Sequence, residues 1–179
     1  MLRYRDGDIE AFETLYRRHN DALYRYLRRL AANPQAAEDV FQEVWSKIIK
    51  ARHRYRPTAR FSTFLYRVAR NCMIDYVRRN RRHMQSLTVD PDLNADPGAQ
   101  PDALAEQGQA RQKLLAALET IPLEQRDAFL LHEEAGLSID DIAQMSGVNR
   151  ETIKSRLRYA SRKLKAALER PATSKEQSA

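Results

Sequence analysis

Cations alternate with aromatic rings in one stretch of the chain, and this is the chemistry that the sequence offers most clearly. The stretch runs from Arg52 to Arg82 and places Tyr55 and Phe61 among closely spaced arginines. Guanidinium groups bind phosphates and aromatic rings stack on unpaired bases, so this composition suits single-stranded nucleic acid. A solvated basic face with a few rings in the core would give the same composition, and the stretch alone does not separate the two interpretations.

The same stretch is predicted to fold as a short loop followed by an amphipathic helix. Its apolar residues recur three and four positions apart, at Phe64, Leu65, Val68, Ala69, Cys72, Tyr76 and Val77. The other side of this helix is basic and polar, with Arg67, Arg70, Asn71 and Arg78. The loop before it adds Arg54, Tyr55, Arg56, Arg60 and Phe61.

The preceding helix, predicted from about Gln35 to Ala51, has an outward face of the opposite sign. Pairs of apolar residues recur every four positions, from Val40 and Phe41 to Ile48 and Ile49. The outward face carries Glu38, Asp39, Gln42, Glu43 and Ser46. An acidic face on a basic protein repels nucleic acid and favours a second, positively charged partner. Stabilisation of the helix N-terminus would also explain the first two carboxylates, but not Glu43.

A third candidate surface lies in the second half, where the sequence predicts a helix-turn-helix. Ser138 and Asn149 are placed to cap two successive helices, and Gly147 permits the turn between them. Ala143 is small where the helices cross, and Ile153 joins the second helix to the first. The outward residues of that second helix are Arg150, Glu151, Lys154, Ser155, Arg158, Tyr159 and Arg162. Such a helix fits the major groove of DNA, although a plain helical hairpin with a basic surface is the alternative.

The elements that position these residues are all predicted to be helices. The 179 residues carry a net charge of +7, which indicates a polyanionic partner, and contain five glycines with no hairpin signal. We expect an all-α fold of two small helical domains, residues 1–85 and 105–170, whose first helix begins near Asp8. Residues 86–104 are acidic and proline-rich, which predicts a flexible linker. A disordered tail is expected at 171–179.

Several function classes lack support in the sequence. No apolar run is long enough to span a membrane and no signal peptide is seen, so a cytoplasmic protein without membrane insertion is expected. No ligand spacing predicts a metal site, and no glycine-rich nucleotide loop or nucleophile–histidine pair predicts a cofactor or an enzyme. The single cysteine, Cys72, lies on the apolar stripe and is expected to be a packed thiol.

Two segments resemble the extracytoplasmic-function (ECF) group of bacterial sigma factors. AEDVFQEVWSKI followed by ARFSTFLYRVARNCMIDYVRR is similar to the second sigma domain. IPLEQRDAFLLHEEAGLSIDDIAQMSGVNRETIKSRLRYASRKL is similar to the fourth. Their order, separated by a short linker without a domain between them, makes the resemblance specific and extends it over both halves.

The resemblance implies a sigma factor that directs core RNA polymerase to the promoters of a stress- or signal-specific regulon and initiates transcription there. It implies docking on the beta-prime clamp helices through Glu38, Asp39, Gln42 and Glu43, with the beta flap as a further contact. It assigns recognition and melting of the −10 element to Tyr55, Arg56, Arg60, Phe61, Arg67 and Asn71. Lys154, Ser155, Arg158 and Tyr159 match positions that read the −35 duplex, and the expected phosphate contacts are Arg150, Arg156 and Arg162. An anti-sigma partner is implied as well.

Two departures from the family pattern stand at Ala36 and Phe64. The family often has an aspartate at the first position, so a slightly reduced acidic face is expected. At the second position, Phe64, the family usually has tryptophan. We expect this difference only to change the packing of one core position.

Two other functions fit parts of the sequence. One is a helix-turn-helix regulator that binds duplex DNA without sigma activity and uses its first half to sense or dimerise. The other is a helical adaptor that binds RNA electrostatically. The acidic helix face and the aromatic, basic loop argue against the regulator, since dimerisation needs neither.

Overall fold

The computed structural model describes residues 1–86 and 105–169, and these residues form helices, turns and loops without a β-strand. The all-α fold is therefore confirmed. In chain order the helices are α1 (Leu2–Arg5), α2 (Ile9–Leu30), α3 (Pro34–Lys50), α4 (Phe61–Ser86), α5 (Ala105–Glu119), α6 (Leu123–Glu133), α7 (Ile139–Ser146) and α8 (Arg150–Glu169). A single 3-10 turn, Arg52–Arg54, follows α3.

Local sequence signals account for where several helices begin. Asp8, Asn33, Ser138 and Asn149 each accept a hydrogen bond from the backbone N–H three residues later, at 2.8–3.1 Å. Pro34 occupies the first position of α3, where its missing N–H is no loss. Helix α2 ends at Leu30, and Asn33 begins the next helix.

In the first half, α2, α3 and α4 pack around a common apolar core. Leu23 and Leu27 of α2, Val40 and Ile48 of α3 and Leu65 of α4 are fully buried. The short α1, which the sequence analysis did not predict, rests on α2 and on the turn that follows α3. The loop of residues 55–60 follows this turn and leads into α4.

In the second half, α5, α6 and α7 all pack against α8. The buried face of α8 consists of Ile153, Ala160 and Leu164, which lie seven and four positions apart as one helical stripe. Gly147 ends α7 with φ +66°, a left-handed conformation that glycine adopts without strain. Ala143 is buried at the crossing of α7 and α8, so the predicted helix-turn-helix is present.

The two halves contact each other through α2, α4, α5 and α6. The buried side chains of both halves form one apolar cluster, and α2 packs against α6 and α5. The predicted linker, apart from Ser86, lies outside the described residues, as does the predicted tail at 171–179, so both remain predictions.

Several expectations concern single groups. Cys72 is fully buried, as predicted, and burial raises the pKa of its thiol. Within the parts of the chain that the structure describes, no group of His, Cys, Asp and Glu side chains is arranged to hold a metal ion. None of the helices in those parts is long and apolar enough to cross a membrane.

Candidate nucleic-acid interface

The loop between α3 and α4 packs its aromatic rings into a small cluster. Tyr55 is buried, and its ring centroid lies 5.1 Å from that of Phe64 and 6.5 Å from that of Phe61. The His19 ring of α2 lies 5.3 Å from the Phe61 ring and is tilted against it by 57°, and burial lowers the pKa of this histidine. Phe61 and Phe64 remain half-buried. Tyr55 thus supports the cluster from beneath, and the rings that reach the surface belong to the two phenylalanines.

Polar and cationic side chains surround this cluster on the solvent side. Arg56 and Arg60 of the loop and Arg67 and Asn71 of α4 are exposed. The Arg67 guanidinium lies 5.8 Å from the Phe64 ring centroid, close enough for a cation–π contact. Among the residues that the structure describes, none of these three arginines has a carboxylate within ion-pair distance. The surface therefore offers free cations next to partly exposed rings.

Arg70 belongs to the same predicted basic face but lies in a different environment. Its side chain is only 13% exposed, and its Nε donates a 2.8 Å hydrogen bond to Asp127 of α6. The sequence pattern predicts Arg70 on a basic face opposite the apolar stripe. Helical periodicity predicts which face of α4 is polar, but it cannot predict that α6 covers the edge of that face.

On α3, three of the four expected polymerase-binding side chains are exposed. Asp39 accepts a 2.9 Å hydrogen bond from Gln35, Glu38 lies 3.5 Å from the Tyr24 hydroxyl, and Gln42 is exposed beside them. Ala36, by contrast, is buried. The expectation that alanine at this position reduces the exposed acidic face is wrong, because the position faces the core.

Glu43 lies apart from those three side chains, at the junction of α3 and α4. Its two carboxylate oxygens contact Lys47 at 2.8 Å and Arg79 of α4 at 2.9 Å. Burial works against its charge, but the hydrogen bonds from Lys47 and Arg79 outweigh burial and lower the pKa of Glu43. Glu43 is thus already partnered within the chain.

The outward face of α3 continues into an apolar groove that the sequence analysis did not predict. Ile49, which the helical pattern assigned to the buried side, is 45% exposed. It borders a groove of about 380 Å³ lined by Tyr16, Phe41, Gln42, Trp45, Ser46, Ile49 and Lys50. The face of α3 therefore combines carboxylates at its N-terminal end with an apolar groove at its C-terminal end.

Helix α8 presents most of its expected DNA-binding residues to solvent, namely Arg150, Lys154, Arg158, Tyr159 and Arg162. The guanidinium groups of Arg158 and Arg162 lie 5.9 and 4.9 Å from the centroid of the Tyr159 ring. Arg150 pairs with Asp140 of α7 at 3.0 Å. This arrangement gives α8 a basic outer face of about three turns.

Two residues of the same predicted set lie off that face. Ser155 is half-buried. The Arg156 side chain is only 17% exposed and forms an ion pair with Glu124 of α6, so it points toward the neighbouring helix.

Fold and surfaces together define an all-helical protein with a helix-turn-helix, a second basic surface beside aromatic rings, and a separate acidic face.

Comparison with known proteins agrees with this description. Residues 15–83 match the family described as Sigma-70 region 2, and residues 111–164 match Sigma-70, region 4. RNA polymerase sigma factor CarQ of Myxococcus xanthus is 31% identical over 168 residues, which cover 94% of this chain and 95% of CarQ. ECF RNA polymerase sigma factor SigM of Mycobacterium tuberculosis is 33% identical over 88% of this chain and 77% of its own length. The chain belongs to the ECF group of RNA polymerase sigma factors.

Solved structures share the fold. The sigma factor RpoE in complex with the anti-sigma factor NepR from Bartonella quintana has a TM-score of 0.72 at 24% identity, covering 90% of this chain and 98% of RpoE. CnrH in complex with the cytosolic domain of CnrY has a TM-score of 0.64 at 23% identity, covering 95% of this chain and 94% of CnrH.

Proposed function

We propose that this sigma factor divides promoter recognition between its two basic surfaces and docks on core RNA polymerase through the face of α3. The observation that carries the proposal is the segregation of charge. Exposed arginines and half-buried phenylalanines lie together at the start of α4, exposed cations line α8, and exposed carboxylates lie on α3. In this division, residues 1–85 act as sigma domain two and residues 105–170 as sigma domain four, joined by residues 86–104.

The surface at the start of α4 is suited to a melted −10 element. Arg56, Arg60 and Arg67 meet backbone phosphates, while Phe61 stacks on an unpaired base. Asn71 lies within about one turn of Arg67 and carries both a donor and an acceptor, so it can hydrogen-bond the edge of a flipped base. Tyr55 contributes by supporting Phe61 from beneath.

The outer face of α8 is suited to the −35 element as duplex. The N-terminal part of a recognition helix lies nearest the base edges, so Lys154, Ser155 and Arg158 read sequence, with Tyr159 beside them. Arg150 and Arg162 lie at the two ends of this face and contact phosphates. Arg156, which pairs with Glu124, contributes to DNA binding only if that pair opens.

The face of α3 is suited to a positively charged, partly apolar partner. Glu38 and Asp39 repel DNA and attract a basic surface, and Gln42 joins them to the apolar groove beside Ile49. The beta-prime clamp helices are the proposed partner, with the beta flap as a further contact. Glu43 takes part chiefly by joining α3 to α4.

Other partners and properties follow from the family. RpoE and CnrH are both described in complexes, RpoE with an anti-sigma factor. We extend an anti-sigma partner to this chain and expect it to act in the cytoplasm on a stress- or signal-specific set of promoters. The polymerase supplies the chemistry, so the chain needs no catalytic residue and no cofactor of its own.

Co-purification with core RNA polymerase tests the docking proposal. We expect Asp39→Lys to abolish co-purification because it reverses a charge in the middle of the acidic face. Glu133→Lys makes the same charge change at an exposed position of α6 and serves as the matched control. If Asp39→Lys binds core enzyme as the wild type does, the docking face is wrongly assigned. A chain that binds promoter duplex but never core enzyme would be a helix-turn-helix regulator instead.

A further inference from the structure

A cavity of about 700 Å³ lies between α4 and the start of α6. Its volume is within the range of about 300–1,000 Å³ that is usual for sites that bind small molecules. Helix α4 contributes one long wall, and Leu30 of α2 and Arg156 of α8 also line the cavity. The proposed function leaves this cavity without a role.

The wall that α4 contributes is a continuous stripe with an aliphatic part followed by a cationic part. The stripe consists of Met73, Ile74, Val77, Arg78, Arg81 and Arg82. Residues four apart lie above one another on a helix, so these side chains form two adjacent rows on one side of α4. At 1.5 Å per residue the stripe is about 14 Å long. One end of the cavity is therefore apolar and the other end is basic.

The aliphatic part of the stripe is matched by apolar side chains from other helices. Leu123 of α6 is half-buried in the cavity wall, and Leu30 of α2 is buried beneath it. Every apolar side chain among the described lining residues is aliphatic. A hydrocarbon chain packs well on such a lining, whereas an unpaired base binds best on aromatic rings. The apolar part of a ligand that fits here is thus a hydrocarbon chain, whose burial is favourable in proportion to its area.

The three arginines of the stripe are exposed and available to an anion. Among the residues that the structure describes, none of them has a carboxylate within ion-pair distance. The two carboxylates that line the cavity have other partners, since Asp127 pairs with Arg70 at 2.8 Å and Glu124 pairs with Arg156. The described lining contains five arginines and two carboxylates, so an excess of three positive charges remains. The head of a ligand that fits here is therefore anionic.

A phosphate monoester matches these cations better than a carboxylate does. It carries a charge of about −1.5 to −2 at pH 7 and three oxygens that accept hydrogen bonds. Each guanidinium presents a planar set of N–H donors, and three guanidinium groups within two helical turns can share one phosphate. A carboxylate carries a single charge, which one guanidinium group already satisfies.

We propose that this cavity binds one molecule of a phosphate monoester of an aliphatic chain, taken up from solution. The hydrocarbon chain lies on the aliphatic part of the stripe, and the phosphate lies among the three free arginines. Neither DNA nor polymerase takes part in this binding. Measurements on the free protein therefore test the site separately from the proposed function.

Isothermal titration calorimetry of the full-length protein with decyl phosphate, below the concentration at which it forms micelles, tests the site. We expect one molecule to bind per chain. Decanol keeps the chain without the phosphate and should bind at least about tenfold more weakly. Inorganic phosphate keeps the head without the chain and should bind at least about a hundredfold more weakly. Decanoate, with its single charge, should also bind more weakly than decyl phosphate.

Two outcomes of this titration would overturn the site. If inorganic phosphate binds as tightly as decyl phosphate, the arginines bind phosphate without the apolar wall, as a DNA contact would. If decanoate binds as tightly as decyl phosphate, the head is not recognised as a phosphate.

Arg81→Gln tests the cationic end of the cavity. It should weaken binding of decyl phosphate about tenfold, because a charge-assisted hydrogen bond is lost. Arg18→Gln removes the same charge at an exposed position of α2 outside the cavity and serves as the matched control. Equal affinities of the two variants for decyl phosphate would contradict the assigned phosphate position.

Val77→Phe tests the apolar end of the cavity. The larger side chain fills part of the space and should weaken binding of decyl phosphate without changing binding of inorganic phosphate. Ile9→Phe, at an exposed apolar position outside the cavity, is the control, and circular dichroism verifies that both variants are folded. A folded Val77→Phe protein that binds decyl phosphate as the wild type does would overturn the chain position.

Sedimentation with phosphatidylcholine vesicles that contain phosphatidic acid distinguishes a ligand in solution from a membrane surface. We expect the Arg81→Gln and Arg18→Gln proteins to bind such vesicles equally, because only the overall positive charge then matters. If the wild type fails to bind decyl phosphate but binds vesicles in a way that needs Arg81, the arginines form a membrane-binding surface. The cavity would then not be a site for a ligand in solution.

Discussion

Arg79 of α4 donates a 2.9 Å hydrogen bond to Glu43 of α3, and so connects the helix proposed to dock on polymerase to the helix proposed to bind the −10 element. Lys47 contacts the other carboxylate oxygen at 2.8 Å. Glu43 therefore contributes to the packing of the first half, whereas its neighbours Asp39 and Gln42 remain exposed to solvent.

Replacing Glu43 by glutamine should lower the free energy of unfolding at pH 7 by about 0.5–1 kcal/mol, because both ion pairs are lost at a partly exposed site. The pKa of Glu43 is lowered from its ordinary value of 4.5. Its stabilisation should therefore be complete above that value and disappear as the pH falls through the lowered pKa. Urea unfolding of both proteins between pH 7 and pH 3 measures this. A difference that stays constant over the whole range would contradict the assignment.

Asn71→Ala should impair open-complex formation more than binding to −35 duplex. Asn71 is exposed on α4, outside the helix-turn-helix, and its loss removes hydrogen bonds to a flipped base without affecting the helix-turn-helix. Permanganate reactivity of the −10 thymines, compared with gel-shift binding of holoenzyme to a −35 duplex, separates the two effects. Equal losses in both assays would mean that Asn71 does not act at the −10 element.

Arg158→Ala should relax specificity at one position of the −35 element. A direct base contact is worth about 1–3 kcal/mol of discrimination, so the variant should lose preference at that base pair while other positions keep theirs. Lys163→Ala is the control, since Lys163 lies on the same helix but faces the Thr120 carbonyl oxygen at 3.4 Å. Binding of holoenzyme to a panel of single-base −35 variants gives the profile. A uniform loss at all positions would identify Arg158 as a phosphate contact instead.

Gly147→Ala should lower stability through the backbone alone. Gly147 has φ +66°, and a Cβ atom there would meet nothing within 4 Å, so the only penalty is the left-handed conformation, about 1 kcal/mol. Gln144→Ala, at an exposed position of α7, controls for the change to alanine. Thermal unfolding should show a lower Tm for Gly147→Ala only, and an equal Tm for the two variants would contradict the assigned turn.

Local signals in the sequence predicted most of the helices. Asp8, Ser138 and Asn149 cap helices as expected, and Gly147 adopts the left-handed turn, because each depends on residues only a few positions apart. The helix-turn-helix followed from these caps and from the apolar periodicity of α8. The short α1 was not predicted, since four residues are too few to show a helical period.

Contacts between distant residues could not be predicted in the same way. Periodicity indicated that Arg70 lies outside its apolar stripe, and the family resemblance gave Arg156 as a phosphate contact. Both side chains are partly covered by α6, through Asp127 and Glu124. The prediction for Ile49 is wrong in the opposite direction. The pattern assigned Ile49 to the core, but among the described residues no element covers it. A helical pattern identifies a face, and the tertiary arrangement decides what packs against its edges.

Run-off transcription of genomic DNA from the source organism, with core RNA polymerase in the presence and absence of this chain, tests the central claim most directly. We expect new RNA 5′ ends that share two upstream motifs at one fixed spacing, and we expect Asp39→Lys to eliminate them while Glu133→Lys does not. If the chain adds no defined start sites and only represses or shifts existing ones, it does not act as the promoter-recognition subunit described here.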